Sequence, residues 1–119
     1  MDRFKTIFFR TKDGTCPVED FLDSIDQKMR AKLTKEIRLL QVYGNIVREP
    51  YSKHLRDGIY ELRAQQGNDI SRVLYFFYVG RKIVLTHGFI KKTQKTPPRE
   101  IELAKIYREM YLRDMEVEQ

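Results

Sequence analysis

Apolar residues recur along the chain with two different periods, and the switches between them mark its elements. In "FKTIFFR" the aromatic and β-branched side chains predict a first strand over Phe4–Arg10. "TKDGT" follows as a turn. From Pro17 the spacing becomes helical: Val18, Phe21, Leu22 and Ile25 fall at i, i+3, i+4 and i+7 and share one face. Ser24 or Asp26 caps a longer helix running to about Tyr43, with Met29, Leu33, Ile37 and Leu40 as its buried stripe. Gly44 stops it.

The second half changes period. A short strand is predicted over Ile59–Ala64, and "QGND" is a turn. "SRVLYFFYV", Ser71 to Val79, is strongly β-favouring; "GRK" turns the chain into a further strand, "IVLTHGF". Short connections make these three an antiparallel meander. Pro98 opens a final helix, with Glu100 and Glu102 near its positive end and Ile101, Ala104, Tyr107, Met110 and Tyr111 at helical spacing. The class is therefore α+β: a twisted, mainly antiparallel sheet of about four strands, two N-terminal helices and a C-terminal helix. With no repeat, linker or low-complexity tract, the 119 residues form one expected domain, 1–119.

Charge adds a direction to this outline. Between Lys53 and Arg99 stand ten basic and three acidic residues, a net +7, while the rest of the chain sums to −1. One segment thus carries all the excess, as expected of a face that meets a polyanion. A solvated, solubilising surface would carry the same charges. A single cysteine, Cys16, cannot form an internal disulfide and fits a reducing compartment. No apolar run approaches the roughly 18 residues of a membrane span, and the first residues read as a strand rather than a signal peptide. The expected location is the cytoplasm, away from membranes.

Alternation places Arg72 with Leu74, Phe76 and Tyr78. An arginine among large apolar groups is either paired, here with Glu61 or Asp69, or bound to an anion. Arg63 shares a strand face with Glu61, which favours a pair. His87 falls on the face of Ile83, Leu85 and Phe89, as a core or rim residue or a proton carrier; His54 in "SKHLRDG" reads as loop surface. HExxH, CxxC and DxD are absent, as are a glycine-rich phosphate loop and a GxSxG elbow, so neither a metal site nor a cofactor is predicted. What remains is a group of cations on adjacent strands plus a lysine-rich loop. RNA cleavage without metal needs a 2′-hydroxyl to lose a proton, positive charge around the phosphorane, and a proton for the 5′ oxygen. Lysine and arginine supply the charge, and histidine or lysine can move the proton. A plain binding surface would show the same cations.

"LRDGIYELRAQ" and "SRVLYFFYVGRKIVLTHGFIKKTQKTPPREIELA", with the helix pair before them, resemble the phage-derived Gp49-like branch of the RelE/HigB toxins. The likeness runs from Phe4 to about Tyr111 and is most specific in "HGFIKKTQKTP" and "EIELA". It implies a microbial-ribonuclease-like fold and an enzyme that cuts mRNA in the ribosomal A site. Its partners would be the ribosome, mRNA and a cognate antitoxin of helix-turn-helix type, with operator DNA reached only through the antitoxin complex. Arg63 and Arg72 match two strand basics that surround the scissile phosphate in RelE-type toxins, and Lys91 and Lys92 match a Lys-Arg pair after the last strand. A tyrosine that some members carry shortly afterwards is replaced by "TQKTPP", which leaves His87, Lys91, Lys92 and Lys95 as proton-transfer candidates and His54 as a weaker one. The implied catalytic set is Arg63, Arg72, His87, Lys91 and Lys92, flanked by Lys53, His54, Arg56, Arg81 and Lys95 as RNA contacts. Some toxins of this fold act on DNA gyrase without being nucleases. That activity, and a basic nucleic-acid-binding module without toxicity, are the alternatives.

Overall fold

The computed structural model describes residues 2–47, 51–91 and 95–118. Its elements are β1 (Lys5–Phe8), α1 (Pro17–Ser24), α2 (Gln27–Tyr43), a 3-10 turn (Gly44–Ile46), β2 (Ser52–Arg56), β3 (Ile59–Gln66), β4 (Asp69–Tyr78), β5 (Lys82–Lys91) and α3 (Pro98–Glu118). The strands form one sheet in the order β1-β5-β4-β3-β2. The α+β class and the β3–β4–β5 meander agree with the sequence reading. The strand count does not: the described residues form five strands; three of the four pairings are antiparallel, in keeping with a mainly antiparallel sheet, and β1 runs parallel to β5. The additional strand is β2, taken above for loop. Asp57 and Gly58, with φ of 53° and 78°, turn it back into β3 as a two-residue hairpin, the conformation that an Asp-Gly pair favours.

Helices cover both faces of the sheet. On one, Leu33 and Leu40 of α2 and Val18 of α1 pack on Leu62, Val73 and Leu85, and every one of these is fully buried. On the other, Ile101, Ala104 and Tyr111 of α3 pack on Ile59, Leu74 and Val84. Asp26 is the cap of α2; its Oδ1 accepts the Met29 N–H at 2.7 Å. Two glycines are required by close approach. At Gly44 (φ 53°) a Cβ would fall 2.1 Å from the Phe4 ring, and at Gly88 it would fall 2.2 Å from the Phe21 ring. Gly88 is thus what lets α1 lie against β5.

Two irregularities in the sheet aim side chains at α3. Leu74 pairs with His87 but Tyr75 pairs with Leu85, so Thr86 is an extra residue in β5. Simple alternation put His87 with Ile83 and Leu85. The bulge overturns that and turns His87 to the α3 face, where it meets Tyr107. In β2, His54 pairs with Tyr60 and Arg56 with Ile59, so Leu55 is extra, and Arg56 reaches Glu102 of α3. Among the described residues, no helix is long and apolar enough to cross a membrane.

Candidate active site

Antiparallel register sets Arg63 of β3 directly opposite Arg72 of β4. Like charges in that relation repel, and Glu61 answers both. Its Oε2 accepts from Arg63 Nε at 2.6 Å, and its Oε1 lies 3.6 Å from Arg72 Nη1. Arg72 Nη1 donates to Thr96 Oγ1 at 2.8 Å, and the Thr96 hydroxyl donates onward to Glu61 Oε1. The Arg72 and Glu61 side chains are 0% exposed, whereas that of Arg63 is 19% exposed. Burial pulls the Arg72 guanidinium below its ordinary pKa; the adjacent Glu61 carboxylate opposes the shift, and the Arg63 charge adds to it. One carboxylate thus faces two guanidinium groups, and the cluster keeps a net positive charge.

Above this cluster opens a cavity of about 280 Å³, walled by Lys53, Arg56, Arg63, Lys95 and Thr96, with Pro98 and Ile101 of α3 on the far side. Lys53 is brought in by its register opposite Glu61. Arg56 is shared with Glu102, at 2.8 Å. Four cations around a partly apolar cleft, with donors fixed from behind, can bind a phosphodiester and stabilise charge that develops on it.

His87 is 6% exposed, and its Nε2 lies 3.3 Å from Glu100 Oε1 while Nδ1 meets Thr86 Oγ1 at 3.1 Å. Burial lowers its pKa and Glu100 offsets part of that. Glu100 belongs to the same first turn of α3 as the cavity-lining Pro98 and Ile101. Lys91 ends β5, half-buried, opposite Ile70. Lys92 lies outside the described residues.

Five of the ten residues singled out from sequence therefore gather here: Lys53, Arg56, Arg63, Arg72 and Lys95. Two lie elsewhere. His54 is on the opposite face, its ring 4.9 Å from that of Tyr60, and its Nε2 accepts the Gly58 N–H at 3.3 Å. Arg81 is in the β4–β5 turn, past Tyr78, and Tyr78 alone is six residues, about 20 Å, along β4 from Arg72 at roughly 3.3 Å per residue. Sequence reasoning missed Thr96 and Glu100. Glu100 had a signal, an acid at the start of α3; Thr96 had none beyond its place before two prolines.

Residues 20–109 match the family model described as phage-derived protein Gp49-like. A relative from Mycobacterium tuberculosis named "Probable endoribonuclease HigB1" is 36% identical over 100 residues, which cover 82% of this chain and 76% of the relative. The protein of the same name from a second strain matches equally. The matched span contains every residue of the cation cluster, and the chain belongs to the phage-derived Gp49-like family of RelE/HigB-type toxins.

Proposed function

We propose that this protein is the toxin of a type II toxin–antitoxin pair, an endoribonuclease that stops translation by cutting mRNA on the ribosome. The observation that carries this is the four-cation cavity backed by the Arg63–Glu61–Arg72 bridge. The family membership and the printed name of the relative support the same chemistry.

In this reaction the RNA 2′-hydroxyl attacks the adjacent phosphorus, and the 5′ oxygen leaves with a proton. Arg63, Lys53 and Lys95 line the cavity and hold the phosphate, stabilising the phosphorane as its charge grows. Arg72 is sealed from solvent. It is a positioning residue: it fixes Glu61, which in turn orients the Arg63 fork. His87, held by Glu100, and Lys91 and Lys92 at the end of β5 are the candidates for proton transfer and for further RNA contact. The ribosome orients the mRNA and supplies what this set lacks. No metal ligated by this chain takes part. The cognate antitoxin covers the basic face or keeps the toxin off the ribosome by bulk, and operator DNA is reached through that complex. The site of action, and hence the location, is the cytoplasm.

The test is to incubate purified protein with mRNA, with and without programmed ribosomes, and to map ends by primer extension. Cuts that need ribosomes and persist in EDTA are expected. Efficient cutting of naked RNA that EDTA abolishes would overturn the proposal.

A further inference from the structure

A second, larger cavity of about 720 Å³ lies between α2 and β3, within the roughly 300–1,000 Å³ span of small-molecule sites. Lys32, Lys35, Glu36 and Leu39 of α2 line it, with Tyr51 and Arg63 on the sheet side. Glu36 is 7% exposed, and its Oε1 is enclosed with no hydrogen-bond partner among the described residues. An enclosed carboxyl oxygen left unsatisfied is costly, and here it stands at a cavity that a ligand can enter. Arg63 lines both this cavity and the cationic one, its guanidinium held on Glu61 at the α3 side, so the two cavities meet at β3.

We propose that this cavity is a base pocket: a ribonucleotide of the bound RNA sets its base against the Glu36 carboxyl and the Tyr51 ring, with its phosphate on Lys32 and Lys35. The assignment rests on the endoribonuclease reading of the neighbouring site, and it adds a determinant of which RNA sequence is cut. Every base has a face that stacks on an aromatic ring and an edge of donors and acceptors that a carboxyl can read. Tyr51 is half exposed and available to stack. An acidic peptide would suit Lys32 and Lys35 equally, but its carboxylates offer only acceptors to the Glu36 carboxyl, whereas a base edge offers a donor and an acceptor side by side.

The protonation of Glu36 fits this role. Burial raises its pKa to about 8, against the pull of Lys32. The other groups facing the cavity are Lys35 on the same helix, Arg63 on β3 and the Tyr51 phenol. At neutral pH the carboxyl therefore offers one donor and one acceptor side by side. Glutamine reproduces that pair and methionine removes it, at similar volume.

The full chain would be titrated with each of the four ribonucleoside 5′-monophosphates, and cuts mapped on a mixed-sequence mRNA with programmed ribosomes. The variants are Glu36→Gln, Glu36→Met and Tyr51→Leu, each checked by thermal melting. The expected result is a preference of about tenfold among the four nucleotides. Glu36→Gln keeps it, and Glu36→Met erases it and relaxes base choice at one position beside the cut. Tyr51→Leu, a surface change that spares the core, weakens every nucleotide by about tenfold. The proposal is overturned if no monophosphate saturates, which is also the outcome if an acidic peptide is the true occupant. It is equally overturned if Glu36→Met and Tyr51→Leu leave both affinities and cut sites unchanged. Absence of cutting by the wild-type chain would remove the endoribonuclease reading alone, since the nucleotide titration still decides on the pocket.

Discussion

Arg63 and Arg72 face each other across two antiparallel strands with the buried Glu61 carboxylate bridging them, yet only Arg63 reaches solvent. Identical residue types in paired positions therefore have different work to do. One opens onto the cavity; the other lies sealed behind the carboxylate that both share.

Alanine at each arginine should separate these roles. Arg63→Ala should slow cleavage by the folded protein by roughly 10²- to 10³-fold, the usual loss for one preorganised donor, and should also lower the melting temperature, because the buried Glu61 Oε2 loses its donor at 2.6 Å. Arg72→Ala should cost about 3–5 kcal/mol of stability, because Glu61 then stays buried with a partner missing. Urea melts and growth arrest on induction measure the two effects. A fully folded, fully toxic Arg72→Ala variant would show that the bridge neither stabilises the sheet nor orients Arg63.

Salt dependence should map the binding face. Lys53→Ala and Lys95→Ala should each lower the salt slope of ribosome binding by about one phosphate contact. Arg81→Ala should leave it alone, since that side chain sits in the β4–β5 turn with Asp2 and Gln41 around the neighbouring cleft. An Arg81 effect equal to that of Lys53 would mean that RNA crosses the other end of the sheet.

His87 should weaken the fold in acid. Its folded-state pKa lies below the ordinary 6.5, chiefly through burial, so the unfolded chain takes up the proton first. The stability it contributes is complete above pH 6.5 and is lost as pH falls through that value towards the folded pKa. A His87→Gln variant should lose this acid-limb dependence. Should His87 also carry a proton in the reaction, cleavage would fall by roughly 10²- to 10⁴-fold while melting at pH 8 changes little.

Glu36 acts on the opposite limb. Its pKa rises from 4.5 to about 8 on folding. Between those values the folded state binds a proton that the unfolded state has released, so stability declines as pH rises through the window. The slope is about 1.4 kcal/mol per pH unit for one proton. Denaturant melts from pH 5 to pH 9 should show the decline, and Glu36→Gln should flatten it. A wild-type curve already flat over that range would mean that Glu36 ionises inside the fold as easily as in water.

Much of this architecture was legible in the order of residues. The helical spacing of Met29, Leu33, Ile37 and Leu40 and the alternation through Val73 and Tyr75 each follow from a one-dimensional period, and each buries the face it names. Asp26, one of two capping residues weighed, is the cap in fact. The concentration of charge between Lys53 and Arg99 also survives folding: Lys53, Arg56, Arg63 and Lys95 line one cavity. β2 escaped notice for a physical reason. It is an edge strand of the sequence Ser-Lys-His-Leu-Arg, and charged residues at an edge keep other chains from pairing there but erase the apolar alternation by which strands are recognised. Only the Asp-Gly pair after it carried the signal.

What the sequence determined by itself is whatever depends on neighbours along the chain: helix faces, turns, caps, and the sign and place of the net charge. Tertiary structure alone decided which cations meet. The extra residue at Thr86 turned His87 to α3, and the one at Leu55 turned Arg56 to the same face, because a single inserted residue reverses every later side chain in a strand. Packing of the segment before α3 brought Thr96 onto Glu61 across 35 residues, and pairing of β3 with β4 set Arg63 against Arg72. Local preference cannot encode contacts of that range, since each depends on how two distant elements are buried together.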